Sequence, residues 1–230
     1  MVMGVGYNPR IVTDGLVLCL DAANKRSYPG SGTTWIDKVG GNNGTMENMT
    51  SANFSPDNGG SIVFDGSDDR IECAGPSELN NISEITMIAW INYDSVGYYP
   101  KIISRGHSIG GDLLMGDSDN SLYLYYSTSA YRGYNDYFAT TTGSVNLSSG
   151  WVCVAATSAS VVKFYKNSDL VYTSNSVTTN LATSSSIAIG NRPGGDRPFD
   201  GKVGLAMVYN RALTAQEVLQ NYEATKGRYI

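Results

Sequence analysis

A chain of 230 residues with 41% hydrophobic content is long enough to bury a substantial core, and all-β sandwiches reach this length as one domain. Charged residues make up only 16%, while 26 glycines and 16 tyrosines favour short strands and tight turns over a helical bundle. A formal net charge of -5 and a sequence pI near 4.8 leave no basic stripe for phosphates, so neither nucleic acid nor a membrane surface is an expected partner.

Residues 1–13 read as an N-terminal arm: Gly4, Gly6 and Pro9 interrupt Val2, Val5, Tyr7 and Ile11, which have little local cover and are expected to pack on a neighbour. The stretch lacks the basic start and apolar run of a secretory leader, so folding in the cytoplasm is expected. Residues 14–230 form the domain. Leu16, Leu18 and Leu20 alternate with Val17, Cys19 and Asp21, the period of two that puts one face of a strand in a core. From Asn24 to Gly60 turn residues dominate, with Trp35 and Ile36 as the expected anchors of this excursion.

Strand signals then recur at Ser61 to Asp65, Ile85 to Tyr93, Lys101 to Ser104, Ser121 to Ser127, Val152 to Thr157, Val161 to Tyr165, Ser186 to Gly190 and Val203 to Tyr209. That spacing predicts an all-β fold, a two-sheet antiparallel β-sandwich. One helix is predicted at the end. Thr214 and Glu217 make a capping box, Val218, Leu219 and Tyr222 face inward, and Gly227 supplies a left-handed stop. Cys19, Cys73 and Cys153 are odd in number and widely spaced, which predicts buried free thiols.

The segments DGLVLCLDAANKRSYPGSGTTWID, GGSIVFDGSDDRIEC, ITMIAWINYD, IAIGNRPGGDRPFDGKVGLAMVYNRALTAQEV and NYEATKGRY together resemble the laminin G-like, concanavalin A-like jelly roll, over Asp14 to Tyr229. More narrowly, IVTDGLVLCLDAANKRSYPGSGTTW with YNRALTAQEVLQNYEATKGRY is similar to modules in virion structural proteins of tailed bacteriophages, particularly marine ones. The resemblance implies a jelly roll with one C-terminal helix. It also implies a multi-copy or homo-oligomeric component, with other virion proteins (capsid or tail subunits) as partners and the virion as its location.

Three carboxylates within five residues, Asp65, Asp68 and Asp69, repel one another unless something neutralises them. Two readings are open. The turn is satisfied by its own amides and by Arg70 or Arg211, or it holds a structural calcium through carboxylate oxygens. Relatives of this fold pair such a loop with acidic residues before the last strand, where this sequence keeps only Asp200. Asp112, Asp117 and Asp119 form a weaker acidic loop.

Nine of the sixteen tyrosines lie between Tyr93 and Tyr137. Tyr126, Tyr131, Tyr134 and Tyr137 run into a loop, where accessible rings suit a carbohydrate platform, a subunit contact, or local packing alone. His107, the only histidine, sits among glycines without a nucleophile motif. No strand carries the paired carboxylates of a glycoside hydrolase, so no catalytic residue is assigned and no enzyme is expected. A non-enzymatic virion protein, either capsid decoration or a small tail or fibre component, is the preferred reading. A glycan-binding adhesin module for host-surface polysaccharide is the alternative.

Overall fold

The structure, a computed structural model, describes residues 9–95, 97–105, 112–115, 121–127, 136–140, 147, 150–175, 181 and 183–230. Its strands in chain order are β1 (Leu16–Asp21), β2 (Thr34–Trp35), β3 (Gly44–Glu47), β4 (Phe54–Ser55), β5 (Ser61–Asp65), β6 (Arg70–Ala74), β7 (Ile85–Ser95) and β8 (Lys101–Ser104). They continue as β9 (Asp112–Met115), β10 (Leu122–Ser127), β11 (Asp136–Thr140), β12 (Val152–Ser158), β13 (Val162–Lys166), β14 (Asp169–Thr173), β15 (Ser186–Ile189) and β16 (Asp200–Tyr209). The helix α1 (Ala215–Thr225) follows.

Two antiparallel eight-stranded sheets stack as a sandwich, as the sequence predicts. One runs β14-β13-β12-β7-β16-β5-β4, and the other β11-β10-β9-β8-β15-β6-β3-β2. The long β16 is shared along one side: Asp200 to Val203 pair with β5, and Leu205 to Tyr209 pair with β1. Between the sheets lies a core that includes Trp35, Phe64, Ile71, Ile103, Phe164 and Ile189, all essentially inaccessible.

The first sheet is covered on both faces, which explains why β7 reads as a continuous apolar run. Met87, Ala89 and Ile91 point into the sandwich, while Ile88 and Trp90 point outward beneath α1. There Trp90 stacks on Tyr222 at 5.7 Å and on Tyr229 at 4.6 Å between ring centroids, and its indole N–H donates to Thr225 Oγ1 at 2.8 Å. The helix starts as predicted. Thr214 Oγ1 accepts from the Glu217 amide, and the Glu217 carboxylate accepts from the Thr214 amide.

Five local expectations change in the structure. A register shift between Leu16 and Leu18 turns Leu16 to the outer layer, so Leu16, Leu18 and Leu20 do not share a face. Trp35 is buried at the end of β2, but Ile36, the first residue past that strand, is exposed. Leu219 lies on the outer side of α1, leaving Val218 and Tyr222 to pack. Gly227 is no left-handed stop: the last turn tightens into a 3-10 segment, Lys226–Arg228, which needs no positive φ. Finally, residues 9–13 dock on the chain itself. The Val12 amide donates to Asn221 Oδ1 at 2.8 Å, Gln220 Nε2 donates to the Arg10 carbonyl, and Ile11 packs half-buried on the outer core. Val2, Val5 and Tyr7 lie outside the described residues. All three cysteines are buried free thiols, with burial pushing each up to about 12.

Candidate functional site

The turn between β5 and β6 gathers Asp65, Asp68 and Asp69 so that one carboxylate oxygen of each lies within 4.8 Å of the others. Gly66 makes the turn possible. Its φ of 73° suits glycine, and a β-carbon there would lie 2.8 Å from Asp200 Cβ. Asp65 Oδ1 accepts from the Ser67 amide at 2.8 Å, and Asp69 Oδ2 accepts from the Asp65 amide and from Asn53 Nδ2, each at 3.0 Å. Asn48 Nδ2 donates to the Asp68 carbonyl, which ties the turn to the segment before β4.

Asp69 is buried while Asp65 and Asp68 are exposed. Burial, reinforced by repulsion from Asp65 and Asp68, raises the Asp69 carboxyl to about 6. Neither expected arginine neutralises the turn. Arg70 pairs with Glu72 at 3.3 Å, and Arg211 with Glu217 at 2.6 Å and Asp14 at 2.9 Å. Asp200 sits opposite Asp65 in the ladder and takes the Ser95 hydroxyl at 2.5 Å. Three close carboxylates, one of them buried, match the hard oxygen donors a calcium ion takes.

A second constellation forms at one edge of the sandwich. Tyr98 is 63% exposed, with the Arg197 guanidinium 4.7 Å from its ring centroid. Tyr99 touches Tyr98 at 5.0 Å and Tyr123 at 5.7 Å, both edge to face. It does so from the left-handed region, with φ at 50°, a conformation that costs a side-chain-bearing residue about 1–2 kcal/mol. Arg197 is placed by its loop: Asn191 Oδ1 accepts from the Arg192 and Arg197 amides, Arg192 pairs with Asp196, and the Lys101 amide donates to the Arg197 carbonyl.

Of the tyrosines singled out from sequence, Tyr126 and Tyr137 are backbone partners across β10 and β11. Their side chains, and Tyr131 and Tyr134 entirely, lie outside the described residues, as do His107, Asp117 and Asp119. Asp112 is no open metal ligand. It is buried, takes the Arg105 amide on Oδ1 and pairs with Lys101 at 3.0 Å. Tyr98, Tyr99 and Arg197 were not among the expected site residues. Their signals were an aromatic pair between Gly97 and Pro100, and an arginine closing the Gly194-Gly195 turn.

A family model described as the concanavalin A-like lectin/glucanases superfamily matches residues 65–219, more than half of the chain. The chain belongs to that superfamily. Among solved structures, domain 4 of an extracellular arabinanase from Geobacillus stearothermophilus, in complex with arabinotriose, superposes at a TM-score of 0.67 with 16% identity. That match covers 90% of this chain and 98% of the arabinanase domain. A botulinum neurotoxin type C structure, whose cell entry depends on two ganglioside molecules, superposes at 0.64 with 14% identity, over 92% of this chain and 51% of the toxin's. A Trypanosoma rangeli sialidase superposes at 0.64 with 16% identity, over 98% of this chain and 36% of its own. At these identities the likeness is one of fold. No curated protein matches the superfamily member described here.

Proposed function

We propose that the chain is a non-catalytic glycan-binding module that engages sugar through Tyr98, Tyr99, Tyr123 and Arg197. Tyr98 carries this reading: an exposed ring beside a guanidinium, built on a strained loop at the sandwich edge. A sugar ring has an apolar face that stacks on an aromatic side chain, while guanidinium N–H groups donate to its hydroxyls. The lectin/glucanase family membership supports the same class of ligand. Immobilised neutral and sialylated glycans should retain the purified chain without being hydrolysed. Tyr98→Ala should weaken retention about tenfold, the worth of one good ring contact, with an unchanged melting temperature. Equal retention of Tyr98→Ala, or none by either protein, overturns the reading, and turnover of a retained glycan overturns its non-catalytic part.

A second reading concerns where the module acts. The likeness of its opening and closing segments to tailed-phage virion modules supports a multi-copy structural component, capsid decoration or tail fibre, assembled in the host cytoplasm. Copy number per particle separates the two locations: hundreds mark decoration, a few to a few dozen mark tail or fibre. Calcium at Asp65, Asp68 and Asp69 would then serve stability, holding the β5–β6 turn.

A further inference from the structure

On the outer face of the first sheet, far along β16 from the acidic turn, residues 9–13, β1 and the end of α1 line a half-open cavity of about 410 Å³. Its floor is apolar: Cys19 from β1, and Leu205 and Met207 from β16, all buried. Three cations line it, Arg10, Lys38 and Arg228. The carboxylate that lines it, Asp21, is already paired with Arg228 at 2.7 Å. The neighbouring Asp37 is saturated by the amides of Cys19, Val39, Gly40 and Asn42. Arg10 and Lys38 make no ion pair among the described residues, so an apolar floor meets two cations that no described carboxylate pairs, on a chain of net charge -5. The size falls within the range of small-molecule sites, and the combination of an apolar body with a few placed charges is theirs as well.

We propose that this cavity binds an amphipathic anion: an apolar body against Cys19, Leu205 and Met207, and an anionic head, carboxylate or sulfonate, between Arg10 and Lys38. Charge complementarity selects the head, since a cationic ligand would face both side chains without a free carboxylate. The site is independent of the glycan reading, being on a different face from Tyr98.

Anilinonaphthalene sulfonate, titrated into the folded full chain, tests it. We expect saturable fluorescence enhancement, displaced by decanoate and not by decanol. The Arg10→Gln/Lys38→Gln double variant should bind about tenfold more weakly, as two exposed charge contacts warrant. Ala224→Trp, which places an indole at the half-buried cavity wall, should abolish binding with the melting temperature preserved. Absence of a saturable signal, or full affinity in both variants, overturns the proposal. So does binding that appears only after residues 1–8 are deleted, which would make the chain's own N-terminus the occupant.

Discussion

Asp69 holds its proton more tightly in the folded chain than an ordinary carboxyl does, and the direction of that shift decides how the acidic turn responds to pH. Its carboxyl moves from 3.8 to about 6 because burial penalises the charge more than the Asp65 and Asn53 hydrogen bonds favour it. Between those values the native state binds more protons than the unfolded one, so stability falls as pH rises through the window and stays lowered above it. Asp69→Asn keeps an acceptor oxygen for both donors and removes the charge. It should therefore stabilise the chain at about pH 7.5 by roughly 1–2 kcal/mol and be neutral at about pH 3.5, both read from denaturation midpoints. The same shift at both pH values would mean that packing, and not charge, sets the effect. Calcium reverses the sign, because a bound dication favours the ionised carboxyl. Millimolar calcium should then raise the melting temperature of the parent chain, and Asp69→Asn should lose that gain. A parent melting curve unmoved between calcium and excess chelator would leave the turn satisfied by its own amides.

Two elements show how hydrogen bonds and edges are managed. Asn221 on α1 is buried and works in both directions: its Oδ1 accepts the Val12 amide, and its Nδ2 donates to Tyr209 Oη at 3.0 Å. Tyr209 in turn donates to the Val12 carbonyl at 3.0 Å, closing a ring of three bonds among the N-terminal segment, β16 and the helix. Asn221→Ala orphans a buried amide and weakens the tyrosine's network, which should cost about 2–3 kcal/mol in chemical denaturation; a loss below about 0.5 kcal/mol would show that water replaces the side chain. At the far end of the same sheet, β14 is a terminal strand with Leu170 and Val171 exposed. Tyr165 pairs with Leu170 and Phe164 with Tyr172, so Val171 is an extra residue in a bulge. A bulge twists an edge away from further pairing, which protects two exposed apolar side chains from meeting another strand. Deleting Val171 should flatten this edge and produce concentration-dependent self-association in sedimentation. A variant that stays monomeric at every concentration would assign the bulge no such role.

Across the whole molecule, what could be read in advance was local. The Phe64-Asp65-Gly66 turn, the Thr214–Glu217 box and β5 are each decided by contacts within a few residues, and they appear where periodicity and turn chemistry place them. Strands β3 and β6 were missed because neither stands alone: Gly44 to Glu47 lies in a turn-rich stretch and becomes a strand when β6 supplies its ladder. The Tyr98, Tyr99, Tyr123 and Arg197 group was illegible for the same reason, being gathered from three distant segments. The N-terminus gives the sharpest case. Residues 9–13 carry no strand or helix signal, yet they are clasped by β16 and the helix about two hundred residues later, through Val12 to Tyr209 and Asn221, with Arg211 pairing Asp14 just beyond. That clasp separates two truncations. Removing residues 1–8 takes away none of these contacts, so the melting temperature should shift by no more than about 2 °C. Removing residues 1–13 strips Ile11 and Val12 from the outer core and leaves the Asn221 and Tyr209 polar groups without their partners, which should lower it by about 10 °C or more. If both truncations melt alike, the clasp contributes nothing to global stability, and α1 is held by the packing of Val218 and Tyr222 on the outer core and by the Arg211–Glu217 pair.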